Sequence, residues 1–136
     1  MKHILCITIS LLLTTAVVAQ TVNPPRILRS KRTTAAPKID GILDDNIWID
    51  APLANNFIEF RPSPGKAETN AKRTEVKILY DNVAIYVFAR MYDNPDSVAH
   101  EMVTRDQIGN ADFIGVIFDT FKDGINGYGF YVTAAG

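Results

Sequence analysis

Hydrophobic and polar positions alternate most clearly in the middle of the chain. From Thr74 to Tyr80, Val76, Ile78 and Tyr80 fall on one side of an extended segment, and Glu75 and Lys77 on the other. Asp81-Asn82 makes a polar turn. Ala84 to Tyr92 then puts Ile85, Val87, Ala89 and Met91 on one side. Its other side carries Tyr86, Phe88, Arg90 and Tyr92, and is too apolar to be fully wet. Two such runs joined by a short polar turn predict a β-hairpin. Phe113 to Asp119 reads as a buried strand, Lys122 to Gly127 as a turn, and Tyr128 to Ala134 as another strand. Upstream, residues 26 to 34 predict a first strand, with Ile27 and Leu28 its large apolar residues, and Asn56 to Phe60 a further one. Pro62-Ser63-Pro64-Gly65 and Asp93-Asn94-Pro95-Asp96 open loops, and the residues on to Gln107 follow no clear period.

One segment breaks the β pattern. Lys38 to Trp48 turns and enters a short helix, with Asp44 placed to accept from first-turn amides and Asp45 favouring the positive helix end. Pro52 stops it within about two turns. Many short strands with frequent turn signals predict an all-β fold, an antiparallel, jelly-roll-like β-sandwich with one short helix. No repeat or low-complexity tract interrupts it. The chain stops at Tyr131-Val132-Thr133-Ala134-Ala135-Gly136, in or just after a strand, leaving an unprotected edge. The expectation is a sandwich truncated at its C-terminus.

The first residues follow a different pattern. Lys2 and His3 form a positive head, and an apolar run from Ile4 to Ala19 is broken only by Thr8, Ser10, Thr14 and Thr15. It exits through Val17-Val18-Ala19 before Gln20, which is the layout of a cleaved secretory signal. A membrane anchor needs roughly 20 apolar residues, more than this run supplies. Cys6 lies at its start, whereas a lipoprotein cysteine stands at the end. The predicted organisation is a signal peptide at 1–19, a leader at 20–36 and a β-sandwich at 37–136. The expected destination is export to the periplasm, outer membrane or extracellular space.

Removing the signal changes the composition. The single cysteine leaves with it, so neither a disulfide nor thiol chemistry serves the mature chain. Part of the 47% hydrophobic content leaves too, and the remainder suffices for one small domain. The full chain has 14 Lys and Arg against 15 Asp and Glu, a net charge of −1. No global field recruits nucleic acid or an anionic membrane. Arg26, Arg29, Lys31, Arg32 and Lys38 form a local basic stretch that reads as a solvated leader and first strand.

Candidate chemistry is sparse. With His3 lost, His100 stands alone, which excludes a histidine metal cluster. None of Ser30, Ser63 and Ser97 sits in a Gly-x-Ser-x-Gly elbow. Asp106, Asp112, Asp119 and Asp123 are carboxylates of the type glycosidases use, but Asp in turns usually caps backbone. Asp119-Thr120-Phe121-Lys122-Asp123-Gly124 imitates the start of a calcium loop, yet Phe121 stands at its third position and Phe130 at its twelfth. Aromatic rings matter because sugars present apolar C–H faces that stack on them. Trp48 is the single Trp, supplemented by Tyr80, Tyr86, Tyr92, Tyr128 and Tyr131. Beside Ile47 and Ile49, Trp48 reads as a plug of the sandwich. Arg90 and Arg105 are donors by type, with Arg90 in mid-strand.

Three ordered blocks give a family resemblance. Ile39-Asp40-Gly41-x-Leu43-Asp44-Asp45-x-x-Trp48-x-x-Ala51 resembles the opening motif of the family 9-like carbohydrate-binding domains. Thr74-Glu75-Val76-x-x-x-Tyr80-Asp81-x-x-x-Ile85-Tyr86-Val87, followed by Tyr92-Asp93, is similar to its centre. Arg105-Asp106, Asp112-Phe113, Phe118-Asp119-Thr120 and Asn126-Gly127-Tyr128-Gly129-Phe130 supply the third block. The resemblance spans Pro37 to Gly136. It implies a non-catalytic, sugar-binding sandwich, often with calcium supporting its loops, at the front of large exported proteins of Bacteroidetes-type bacteria. Some of those are carbohydrate-degrading hydrolases, so the catalytic activity would lie outside this segment.

Arg105, Tyr92 and Tyr128 are then the candidate sugar contacts, Asp40, Gly41, Asp44 and Trp48 the structural motif, and Asp119 and Asp123 the candidate metal ligands. The expected partners are a polysaccharide or oligosaccharide and the C-terminal region of the same parent protein, with no nucleic acid and no transmembrane helix after signal cleavage. Two rival readings stay open. The first is a haem domain ligated through His100, Met91 or Met102. The second is an assembly domain without sugar binding.

Overall fold

A computed structural model of the protein describes residues 26–104 and 106–136. The expected signal peptide and the start of the leader lie outside the described residues.

The fold is all-β, with strands β1 (Lys31–Arg32), β2 (Leu53–Ala54), β3 (Thr74–Tyr80), β4 (Ile85–Met91), β5 (Phe113–Phe118) and β6 (Tyr128–Thr133). The alternating run at 74–80 is β3 to the residue. The expected first strand shrinks to two residues, and the one expected at 56–60 leaves only a single bridge, Ile58 to Ala67. β2 forms just before it. The described residues contain no α-helix. The expected short helix is one 3₁₀ turn, Asn46–Trp48, capped by Asp45 without a side-chain bond. Asp45 instead turns back and accepts the Lys38 amide at 2.8 Å. Asp44 stays exposed.

The four-stranded sheet is built around β3. β4 pairs antiparallel along its whole length, from Thr74↔Met91 to Tyr80↔Ile85. The other edge of β3 is shared. β2 pairs antiparallel with Lys77 and Val76, and β1 pairs parallel with Leu79 and Tyr80. This sheet is therefore mixed, not purely antiparallel, because the short β1 runs alongside β3 in the same direction. β5 and β6 form a separate antiparallel hairpin, from Phe113↔Thr133 to Phe118↔Tyr128.

Asp81 sets the β3–β4 turn. One carboxylate oxygen accepts the Val83 and Ala84 amides at 2.7 and 2.8 Å, and the other accepts the Tyr86 hydroxyl at 2.8 Å. The two amides, then the hydroxyl, hold this carboxyl below its ordinary 3.8, and the same bond holds the Tyr86 phenol above 10.0. A carboxyl depressed by folding adds stability that is present above its unfolded value and is lost as pH falls through the folded value. Urea unfolding of the wild type and Asp81→Asn is expected to differ more at pH 7 than at pH 2.5. An equal gap at both would show that the charge is not what holds the turn.

The core lies on the face of β3 that carries Glu75, Lys77 and Leu79. Leu79 is wholly buried, with Trp48 at 5% exposure and Ala51 beside it. Leu43, Ile47, Tyr86 and Phe88 close around them. Lys77 follows the same face inward and donates its ammonium to the Trp48 carbonyl at 2.7 Å, its alkyl stem lying along the apolar surface. The opposite face, with Val76, Ile78 and Met91, borders an open cavity of about 850 Å³. β5 lines that cavity with the consecutive residues 113–117, so it presents an edge there as well as side chains.

Candidate functional site

Asp40 and Gly41 of the opening motif build a turn. Asp40 accepts the Ile42 amide at 2.9 Å and pairs with the Lys38 ammonium at 2.6 Å. Both bonds hold its carboxyl below the ordinary value, the lysine first. Gly41 takes φ +79°, a left-handed turn that glycine adopts without strain. This bend delivers Trp48 to the core, where its ring meets Phe88 with centroids 6.0 Å apart.

Tyr92 follows β4 and is half-buried. Its hydroxyl donates to Glu75 Oε2 at 3.2 Å, and the Arg73 guanidinium lies 3.5 Å above its ring. Arg73 Nε also donates to Glu75 at 3.2 Å. One face of this ring is thus already covered by a cation. Tyr128 lies elsewhere, at the start of β6, and no hydrogen bond or ring contact links the two among the described residues. Arg105 lies outside the described residues. Arg90 sits on β4 with its guanidinium 5.7 Å from the Phe88 ring.

Asp119 and Asp123 build the β5–β6 loop. Asp119 accepts the Asp123 and Gly124 amides at 3.2 and 2.9 Å. Asp123 accepts the Ile125 and Asn126 amides, both at 2.9 Å, and the Asn126 side-chain amide at 2.8 Å. These donors, the Asn126 amide first, hold the Asp123 carboxyl below its ordinary value. Calcium takes six to eight oxygens. Here the lone pairs turn to loop amides, and no group of three His, Cys, Asp or Glu gathers to hold a metal among the described residues. Toward the calcium that the resemblance implies, the loop offers two carboxylates, each already tied to loop amides.

Asp112 staples the chain. It accepts the Ala99 amide on its side chain at 2.9 Å, and its own amide donates to the Ala99 carbonyl at 2.8 Å. Its carbonyl accepts the Ala134 amide at 2.8 Å, tying β6 to the same point. Asp106 takes φ +66°. His100 is exposed, with Nδ1 3.0 Å from the Val98 carbonyl. Ser97 donates to Asp93 and to the Asn94 carbonyl, within its own turn. Met102 is 94% exposed and Met91 lines the cavity.

The exposed aromatic surface is on the β5–β6 hairpin. Tyr128, Phe130 and Tyr131 are 59%, 62% and 49% exposed. Along β5, Ile114, Val116 and Phe118 are half-buried while Phe113, Gly115 and Ile117 are exposed. Tyr128, Phe130 and Val132 pair with the first set, and Gly129, Tyr131 and Thr133 with the second. Phe118 meets Phe130, and Phe113 meets Tyr131, edge to face at 5.9 and 5.8 Å. The sequence offers Tyr131 as one of several aromatic rings, while the expected sugar contacts are Arg105, Tyr92 and Tyr128. The available signal was Tyr131 two positions after Gly129, in a strand whose partner carries a central glycine.

No protein-family model matches the chain, and no curated protein or solved structure is significantly similar to it. No helix among the described residues is long and apolar enough to cross a membrane.

Proposed function

We propose that the chain is a non-catalytic carbohydrate-binding module of an exported protein that acts in carbohydrate catabolism. Its ligand would be a polysaccharide or oligosaccharide, and its finer architecture a jelly-roll-like sandwich of the family 9-like kind. One observation carries the reading: the Trp is inside, while the tyrosines and phenylalanine of β6 are outside, in a strand without a charged side chain. Rings left in water beside neutral neighbours suit the C–H faces of a sugar. The three sequence blocks agree with that chemistry.

A second reading, an assembly domain without sugar binding, is favoured by the apolar wall of the open cavity, where Val76, Ile78 and Met91 have no complete cover. Calorimetric titration of the folded protein against a glycan panel, with and without calcium, separates the two. Saturable binding to one glycan class, unchanged by calcium, is the expected result. A folded sample that binds no glycan would overturn the proposal and leave the assembly role.

A further inference from the structure

We infer that Tyr131 is the surface on which the sugar ring stacks, and that Gly115 and Gly129 are the residues that lay it down; this rests on the carbohydrate-binding reading. Tyr131 is directly opposite Gly115 across the hairpin and two residues beyond Gly129, so all three share one face. A methyl carbon at position 115 would stand 2.6 Å from both Cδ1 and Cε1 of the Tyr131 ring. At position 129 it would stand 2.8 Å from Cε2 and 2.9 Å from the hydroxyl oxygen. Real side-chain carbons do not approach that closely. The ring occupies the space both missing side chains would take, with its two long edges held low over the two strands.

A tyrosine placed this way has one face on the backbone and the other toward water, consistent with its half-exposed state. Phe113 packs edge-on against it at 71° and hinders it from swinging away. The flanking positions on this face, Phe113, Ile117 and Thr133, carry no charge. The other rings are less suited. Trp48 is buried, the Tyr92 ring lies under the Arg73 guanidinium, and Phe130 is engaged by Phe118 on the opposite face. A pyranose fits because its C–H face matches one aromatic ring in size while its hydroxyls stay hydrated.

The test titrates wild type and three variants with the glycan that wild type binds, following unfolding midpoints in parallel. Tyr131→Ala is expected to weaken binding on the order of tenfold, and Tyr131→Phe to rescue most of that loss. Gly115→Val keeps the tyrosine but drives a side chain into its ring, and valine suits a strand better than glycine. It should therefore lose binding, and the unfolding midpoint followed in parallel reports what displacing the ring costs. Lost affinity in a variant still folded at the assay temperature is an outcome that a merely structural tyrosine would not produce. Should Tyr131→Ala fail to fold, Gly115→Val and Tyr131→Phe decide the matter. Wild-type binding that survives both Tyr131→Ala and Gly115→Val overturns this inference and leaves the carbohydrate reading standing. Absence of any wild-type glycan binding removes both.

Discussion

Trp48→Ala is expected to destabilise the fold by about 4 kcal/mol, read as a fall in the urea midpoint. The ring is 5% exposed and fills the space between the 3₁₀ turn, Leu79 and Phe88. Few other side chains among the described residues are as deeply buried, so little can collapse into the vacancy. Natural domains hold only about 5–15 kcal/mol in total, and the alanine variant should be unfolded in a large fraction at 37 °C. Trp48→Phe keeps an apolar ring and should recover most of the loss. Glycan affinity of the folded Trp48→Phe variant should equal that of wild type, because the ring faces the core. A tenfold loss of affinity there, with stability retained, would make Trp48 a ligand contact and refute the plug role.

Leu79→Ala is the second large effect, expected at about 3 kcal/mol. Leu79 is the one fully buried large side chain among the described residues, and β3 holds it against Trp48 and Ala51. Its backbone is fixed from both sides, by Tyr86 on β4 and by Lys31 on β1. The side chain therefore cannot shift to fill the gap. The double variant with Trp48→Ala should cost less than the two single losses added together, because both open the same space. Equal additivity in chemical denaturation would mean that the two residues do not share one core.

The hairpin around Asp81 was legible because period-2 patterning and turn chemistry act locally, and both agree there. The β5 and β6 spans are legible as apolar runs bounded by turn residues, but β5, expected to be a buried strand, is exposed at Phe113, Gly115 and Ile117. Which face of β3 holds the core was not. Val76, Ile78 and Tyr80 look like the inner set, yet Leu79 is the buried residue, since the Trp48 turn folds back over the face bearing Glu75 and Lys77. That arrangement depends on a contact about thirty residues away, which no local period records. The expected helix failed because Pro52 and the Asp45–Lys38 closure leave room for a single turn. Of the proposed site, Tyr128 is legible by residue type. The proposed role of Tyr131 needs the strand register as well, since the glycine pattern marks it only once Gly115 is paired opposite it.

The shared edge of β3 also bears on the order in which the chain assembles. β3 and β4 meet across a turn of a few residues, so their pairing closes first and needs no distant partner. β2 must then reach back from Leu53 to Lys77, and β1 from Lys31 to Leu79. Counted along the whole chain the second separation is about twice the first, and each strand brings two residues of pairing. Within this sheet β1 is therefore expected to dock after β3 and β4 have paired. A chain emerging from its N-terminus must hold this segment unpaired until Tyr80 has followed it.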